Sequence, residues 1–372
     1  MRILMAGGGT AGHINPAIAI ADTLRRHWPE AEVLFIGASG KMETTLVPKA
    51  GYTLKTVEVS GFQRHMSVKN VGRNTMAVVR ILTAGKAAGR IIKDFAPDIA
   101  IGTGGYVCGP VLRRAAKMGI PVIVHESNVL PGVTVKLLAK HAAAVLIADE
   151  EARQYITDAK RIEVTGNPVA GSFAAYDRTQ ARQELGIHDD HPLILSCGGS
   201  LGARRINETM TEVLKLSAAQ GNFRHIHAAG KDGYTTMKQA LDTAAVPLGT
   251  DIQLRPYIDD MPRCMAAADI VISRCGAMLL SELPIVGRAA ILIPSPYVAE
   301  NHQYYNAMAR VKQGAAICIE ERELTVDRLW QEIRALASDT ARREQMESAS
   351  RSLAVPDAAE RVFAVIKEVV GR

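Results

Sequence analysis

"MAGGGTAGHINPAIAIA", Met5–Ala21, follows directly on the apolar start Arg2-Ile3-Leu4. Its glycines 7, 9 and 12 have the spacing G-x-G-x-x-G, the pattern of a loop that lets a ligand approach the backbone. A strand must precede such a loop, and a helix must follow it. RILMA is short and apolar, and Ile14 to Arg26 has helical spacing. A dinucleotide further needs an acid at the end of the next strand, to hold a ribose. That strand, Glu32 to Gly37, runs out into Ala38-Ser39-Gly40 without a carboxylate, which argues against a nicotinamide cofactor.

The same device returns in the second half of the chain. "LILSCGGSLGARRIN" (Leu193–Asn207) is again an apolar strand, a glycine-rich turn and a helix start. "PDIAIGTGGY" (Pro97–Tyr106) and "ADIVISRCGA" (Ala268–Ala277) are two further buried strands that run into glycine turns. Strand and helix patterns alternate throughout, which predicts parallel sheets with crossover helices. The expected fold is α/β, with two Rossmann-like doubly wound domains in tandem and a hinge around Gly166–Val169. Such domains bind ligands at the carboxyl ends of their strands, so facing sheets place the glycine loops on one cleft.

Composition narrows the partners. The 372 residues suit two domains, and a 48% apolar share supplies full cores. No run is long and uncharged enough to span a membrane, and the opening reads as a strand rather than a secretory leader. The five cysteines are odd in number and lack C-x-x-C spacing, which points to buried thiols in a reducing cytoplasm. Net charge is +6, yet residues 1–165 carry 21 Lys+Arg against 13 Asp+Glu, so the basic half is expected to meet something anionic. Nucleic acid is disfavoured, because aromatics make up only 5% of the chain and do not interleave with basic runs. Between Asn70 and Phe95 one helical face carries Val71, Val78, Ile81, Ala88, Ile92 and Phe95, with Arg73, Arg80, Lys86, Arg90 and Lys93 mostly opposite. That pattern fits an interfacial helix at anionic lipid, and equally a surface helix packed on a sheet.

Eight stretches, in order, carry a specific resemblance: GGGTAGHINPAIAIA, GTGGYVCGPVL, GIPVIVHESNVLPG, VTGNPV, GGSLGAR, YIDDM, SRCGA and NHQYYNA. The chain resembles the MurG family of GT-B glycosyltransferases from Met1 to about Ala316, and more weakly beyond. The resemblance implies an inverting transfer of N-acetylglucosamine from UDP-N-acetylglucosamine, with no metal and no cofactor. The acceptor it implies is an undecaprenyl-diphosphate-linked muramyl-pentapeptide, the lipid precursor of peptidoglycan. It also implies an acceptor domain over 1–163, a donor domain over 164–353, and a C-terminal helix within 354–372 that crosses back. The expected location is the inner face of the cell membrane, on the cytoplasmic side.

The chemistry assigns work to named residues. Inversion in one displacement needs a base at the acceptor hydroxyl. His13 matches the family's candidate base, and its alternative is to order the loop at a helix start. Asn128 matches a residue at the donor sugar or acceptor, or else caps a turn; Glu126 is a second acid–base candidate. Gly9, Thr10, Gly104, Gly105 and Tyr106 are expected at the acceptor diphosphate, with "SGFQRHMS" (Ser60–Ser67) as a further candidate loop. For the donor, the expected contacts in the first half are Thr10 and Gly12. Backbone N–H groups at Gly199, Ser200 and Gly202, with Arg204, suit a departing diphosphate. Arg274 would add charge there, or form a salt bridge at its strand end. Glu282 matches the acid that grips both ribose hydroxyls, Ile258 the residue whose backbone reads uracil, and Ala277, His302 and Gln303 fall in the donor motifs.

Two acidic stretches compete as metal sites. Asp149-Glu150-Glu151 reads instead as an acidic helix start, and "HDDH" (His188–His191) as a solvated loop. The chain departs from the family pattern at Ala170, Cys275, Met278-Leu279-Leu280 and His302, and Pro284 is expected to cut its helix short. These departures bear on the donor side. They leave open a UDP-sugar-binding relative with impaired turnover, while a transferase acting on another membrane lipid would show the same fold and basic face.

Overall fold

Short apolar runs build the first sheet. The computed structural model describes residues 1–59, 83–199 and 201–371. Seven strands lie parallel: β1 (Arg2–Ala6), β2 (Glu32–Ala38), β3 (Thr53–Val57), β4 (Ile99–Gly102), β5 (Val122–Glu126), β6 (Ala144–Ile147) and β7 (Ile162–Val164). Their order is β3-β2-β1-β4-β5-β6-β7. The central strands are buried on both faces, which is why they read as continuous apolar runs rather than alternating ones. Ile3 and Met5 pack on one side with Ile14, Ala17, Ile20 and Leu24 of α1 (Ala11–His27). Leu4 and Ala6 pack on the other side, with Ala84, Ala88 and Ile92 from a helix, α3, whose described part covers 83–95. α2 (Glu43–Lys49) lies between β2 and β3 in sequence, and α4 (Cys108–Lys117) and α5 (Val133–Ala139) follow β4 and β5.

Chain direction reverses between β1 and β4, so the loops after these two strands meet at the topological switch point. The second sheet repeats this arrangement. β8 (Leu193–Cys197), β9 (Arg224–Ala228), β10 (Ile252–Arg255), β11 (Ile270–Ser273), β12 (Ala289–Leu292) and β13 (Ala316–Cys318) run parallel in the order β10-β9-β8-β11-β12-β13. Its switch point lies between β8 and β11. The helices are α6 (Arg178–Glu184), α7 (Arg204–Gln220), α8 (Lys231–Thr243), α9 (Met261–Ala267), α10 (Leu279–Val286), α11 (His302–Lys312), α12 (Val326–Ser338) and α13 (Thr340–Ser352). Pro284 does not cut α10 short: the helix runs on to Val286 and ends at Gly287, whose φ of 68° supplies the left-handed C-cap. Pro284 has no N–H to give to the helix ladder, yet the helix continues past it.

Two compact units result, Met1–Val169 with Pro356–Arg372, and Ala170–Val355. The first boundary falls at the end of the Gly166–Val169 stretch, a few residues after the bound of 163 that the resemblance implied. Side chains of the first unit hold the segment after β7: His125 Nε2 bonds Gly166 O at 3.0 Å, and Asn167 Nδ2 donates to Ser127 O at 3.1 Å. The final helix α14 (Ala358–Val369) belongs to this unit as well. Its Val362, Val365 and Ile366 join the Ile3/Met5 core, Phe363 stacks on His27 at 3.9 Å, and Glu360 lies 2.7 Å from His27 Nε2.

The apolar stripe expected on the 70–95 helix resolves in its described part as core. Ala88 and Ile92 are buried and Phe95 packs against them, while Val71, Val78, Ile81, Arg73 and Arg80 lie outside the described residues. Outward, α3 shows Lys86, Arg90 and Lys93. A methyl at Gly89 would come within 2.6 Å of Arg114 Nε, so α4 lies alongside and adds exposed Arg113, Arg114 and Lys117.

Candidate functional site

Each unit holds a glycine-lined loop pair at its switch point. In the first unit the two loops interlock through absent side chains. A Cβ on Gly7 would sit 2.4 Å from Thr103 Oγ1, and one on Gly105 would sit 2.2 Å from Gly8 O. Gly104 and Gly105 have φ of 109° and 86°, so this close approach and this backbone both require glycine. His13 lies over Gly104, where a Cβ would approach its Cδ2 to 2.6 Å. Its Nδ1 is 3.2 Å from Gly8 O and from Thr10 Oγ1, and Thr103 Oγ1 donates to its carbonyl at 2.6 Å. His13, Thr10, Gly9, Gly12, Gly104, Gly105 and the exposed Tyr106 therefore lie on this one pair of loops. The loop at Ser60–Ser67 lies outside the described residues.

One carboxylate here escaped the sequence reading. Glu43, from the first turn of α2, is fully buried. Its Oε1 accepts Ala38 N–H at 2.8 Å and its Oε2 accepts Gly9 N–H at 2.9 Å. Gly8 and Gly37 make room for it, since a Cβ on either would clash with the Glu43 side chain. One oxygen bonds backbone at the end of β2 and the other the glycine loop after β1, so this acid anchors the loop and is already engaged where a ribose acid would stand.

At the end of β5, Glu126 is also a loop organiser. Its Oε1 accepts the N–H and the Nδ2 of Asn128 at 2.8 and 3.0 Å, and its Oε2 accepts Gly132 N–H at 2.8 Å. Burial pushes its carboxyl up, and these hydrogen bonds pull the other way. Both oxygens are engaged in ordering the loop after β5, which weighs against the acid–base role expected of Glu126. Asn128 is held by its neighbour and is partly exposed.

In the second unit Gly202 (φ 77°) packs so closely on the β9–α8 turn that a Cβ would sit 2.2 Å from Ala229 O. Gly199 (φ 88°) faces open space, Ser200 is outside the described residues, and Arg204 opens α7 with its side chain in solvent. A buried polar chain stands behind this loop. Ser196 Oγ lies 2.7 Å from His227 Nδ1, His227 Nε2 lies 3.2 Å from Asn207 Oδ1, and Asn207 Nδ2 donates to Ala229 O at 2.7 Å. Burial holds His227 down near 4, so these are neutral groups.

After β11, Arg274 departs from the expected phosphate role. Its guanidinium pairs with Glu321 and donates to the carbonyls of Ile293 and Pro294, so it ties the ends of neighbouring strands together. The salt-bridge alternative holds. Gln303 Oε1 accepts from Ser295 N–H at 2.9 Å and Cys275 N–H at 3.3 Å, while Asn306 Nδ2 donates to Cys275 O at 3.2 Å. α11 thus clamps both sides of residue 275, a role for Asn306 that its motif gave no hint of. His302 bonds Ala299 O through Nδ1 at 2.8 Å, Ile258 is buried, and Ala277 is partly exposed. Ala170, outside this cluster, precedes a short helical turn and is exposed.

Glu282 differs from every other acid here. No hydrogen bond or ion pair reaches its carboxyl among the described residues, and burial alone pushes it up to about 7. It lies near enough to the end of β8 that its charge helps raise the thiol of Cys197, which burial already pushes up. A partly buried carboxylate with unoccupied lone pairs, beside a glycine loop, suits two hydroxyl donors from a ligand.

The two acidic stretches are structural. Asp149 caps a helical turn by accepting from Glu151 N–H at 3.0 Å. Asp189 of HDDH is not merely solvated: Arg224 pairs with it and holds its carboxyl down at about 2. Among the described residues no group of three or more His, Cys, Asp or Glu side chains is arranged to hold a metal, and no helix is long and apolar enough to cross a membrane.

Comparison with known proteins agrees with this geometry. Residues 3–147 match the N-terminal domain model of glycosyltransferase family 28, and residues 193–362 match its C-terminal domain model. A protein of Acetivibrio thermocellus named UDP-N-acetylglucosamine--N-acetylmuramyl-(pentapeptide) pyrophosphoryl-undecaprenol N-acetylglucosamine transferase is 42% identical, covering 100% of this chain and 98% of its own. A protein of the same name from Thermoanaerobacter sp. is 40% identical, over 99% of this chain and 100% of its own. The crystal structure of MurG from Acinetobacter baumannii superposes with a TM-score of 0.78 at 27% identity, covering 99% of both chains.

Proposed function

The chain belongs to glycosyltransferase family 28, and we propose that it transfers N-acetylglucosamine from UDP-N-acetylglucosamine to the C4 hydroxyl of a lipid-linked N-acetylmuramyl-pentapeptide. The observation that carries this reading is 42% identity along the full length of a relative named for that reaction. The first unit takes the acceptor and the second takes the donor.

In the second unit, the unpartnered Glu282 accepts both ribose hydroxyls, and backbone N–H groups of the loop at 198–204, with the N-terminus of α7, meet the diphosphate. These fixed dipoles stabilise the departing UDP in the way a metal does in other transferases. In the first unit, His13 Nε2 takes the proton of the acceptor hydroxyl. The hydroxyl oxygen bonds to the anomeric carbon as its bond to UDP breaks, and the electron pair leaves with UDP. Attack on the face opposite the leaving group inverts the centre. Asn128, held in place by Glu126, orients the sugars near this base.

The acceptor tail lies in a bilayer, so the first unit works at the cytoplasmic face of the membrane. Lys86, Arg90 and Lys93 of α3 and Arg113, Arg114 and Lys117 of α4 form a basic surface suited to anionic lipid headgroups. Beside it α5 exposes Val133 and Leu137, at 54% and 65%, as apolar contacts.

The test is transfer of labelled N-acetylglucosamine to a muramyl-pentapeptide lipid diphosphate in EDTA. Labelled product of inverted configuration is expected. Intact UDP-sugar binding without transfer to this lipid contradicts the acceptor assignment, and transfer abolished by EDTA contradicts the metal-free step.

A further inference from the structure

The Gly8–Gly9 peptide stands between two side chains that its neighbours hold in place. On one side its N–H donates to Glu43 Oε2 at 2.9 Å. On the other its carbonyl lies 3.2 Å from His13 Nδ1. A carbonyl oxygen only accepts, so a hydrogen bond to Gly8 O requires the proton on Nδ1; the Thr10 hydroxyl, also at 3.2 Å, can accept from that nitrogen or donate to it. A neutral imidazole protonated at Nδ1 carries its lone pair on Nε2. The Gly8 carbonyl favours this tautomer, the one a base needs.

We infer that Glu43 orients and tunes His13 through the Gly8–Gly9 peptide, as the positioning residue for the base of the transfer. The inference rests on the reading of His13 as that base. Geometry ties the carboxylate to this task. Glu43 is fully buried, and its second oxygen is fixed by Ala38 N–H at 2.8 Å. Gly8 and Gly37 must both lack a side chain for it to fit. Its carboxylate polarises the shared peptide so that the Gly8 carbonyl becomes a stronger acceptor for Nδ1–H. That favours the imidazolium formed as the base takes its proton, as a carboxylate does directly in a Ser-His-Asp triad.

Cys108, at the start of α4 beneath the loop, is kept neutral by burial, which pushes its thiol up to about 12; the charge of Glu43 adds to that rise. Its Sγ–H donates to Ala6 O and Gly104 O. Thr10, before α1, and Thr103 and Gly104, after β4, touch His13, and these three carry no charge.

Glu43→Gln removes the charge and keeps the shape. In the full-length protein, histidine nitrogen NMR against pH is expected to show the His13 pKa lowered by about half to one unit. The acid limb of the kcat/KM profile should move with it, and kcat should fall about tenfold. UDP affinity should change less than twofold, which separates tuning from unfolding. Glu43→Asp, which retains the charge, should restore the limb towards its original position. An unchanged His13 pKa in Glu43→Gln overturns the inference. So does a wild-type spectrum showing the proton on Nε2, which needs no variant at all. The reading of His13 fails separately: full activity in His13→Ala removes the base, whatever Glu43 does.

Discussion

The two glycine loops are built alike and braced differently. Both follow a central parallel strand, open a long helix and lie at the switch point of their sheet. In the first unit a buried carboxylate, Glu43, is consumed by the backbone of the loop itself. In the second, neutral side chains do the bracing, through Ser196, His227 and Asn207, and the nearby carboxylate of Glu282 has no partner among the described residues. An acid that already accepts two N–H groups organises a surface, whereas an acid with none is available to a ligand. On the proposed function, one supersecondary device would serve a base in one unit and a nucleotide in the other.

The largest effect that sharpens this contrast lies at the second loop. Gly202→Ala places a methyl against the carbonyl of Ala229 at a φ of 77°, and should cost about 3 kcal/mol of stability. Gly199→Ala, at a φ of 88° but in open space, should cost only about 1 kcal/mol. Denaturant midpoints of the two variants measure the difference, and equal losses would mean that the loop is not held by its close packing on the β9–α8 turn. A smaller effect concerns the first unit's outer surface. Replacing Lys86 and Arg90 of α3 by glutamine should weaken binding to anionic vesicles roughly tenfold, at about 1 kcal/mol per charge less some screening. Vesicle co-sedimentation measures this, and an unchanged affinity moves the membrane contact to another face.

Much of this arrangement is visible in the sequence, and the gaps share a cause. The strands announce themselves, since a parallel sheet covered on both faces needs unbroken apolar runs such as IAIG and AVLI. The glycine loops announce themselves too. What the order of residues does not display is which polar group consumes which. Ala38-Ser39-Gly40 holds no acid at the end of β2, yet Glu43 reaches back to that position from α2. Arg274 looks available until Glu321, far along the chain, arrives beside it. Gln303 and Asn306 stand in one motif, but their common target is the backbone of Cys275 on another loop. Apolar periodicity has the same limit, since the stripe on α3 fits lipid or core equally, and the sheet beneath it decides for core.

The separate jobs of the two acids are tested most directly by titrating UDP into wild-type, Glu282→Gln and Glu43→Gln protein at pH 6 and pH 8. The carboxyl of Glu282 lies raised to about 7, so its ionised, accepting form grows between those pH values, and wild-type affinity should rise with pH. Glu282→Gln should bind UDP about thirtyfold more weakly at pH 8, where a charged acceptor of two hydroxyls is lost, and should lose the pH dependence. It should also be the more stable protein at pH 8. A raised carboxyl favours folding at low pH, and that contribution disappears as pH climbs from about 4.5 through 7. Glu43→Gln should bind UDP as the wild type does. Weakened UDP binding in Glu43→Gln, or wild-type binding in Glu282→Gln, would contradict the division of labour between the two loops.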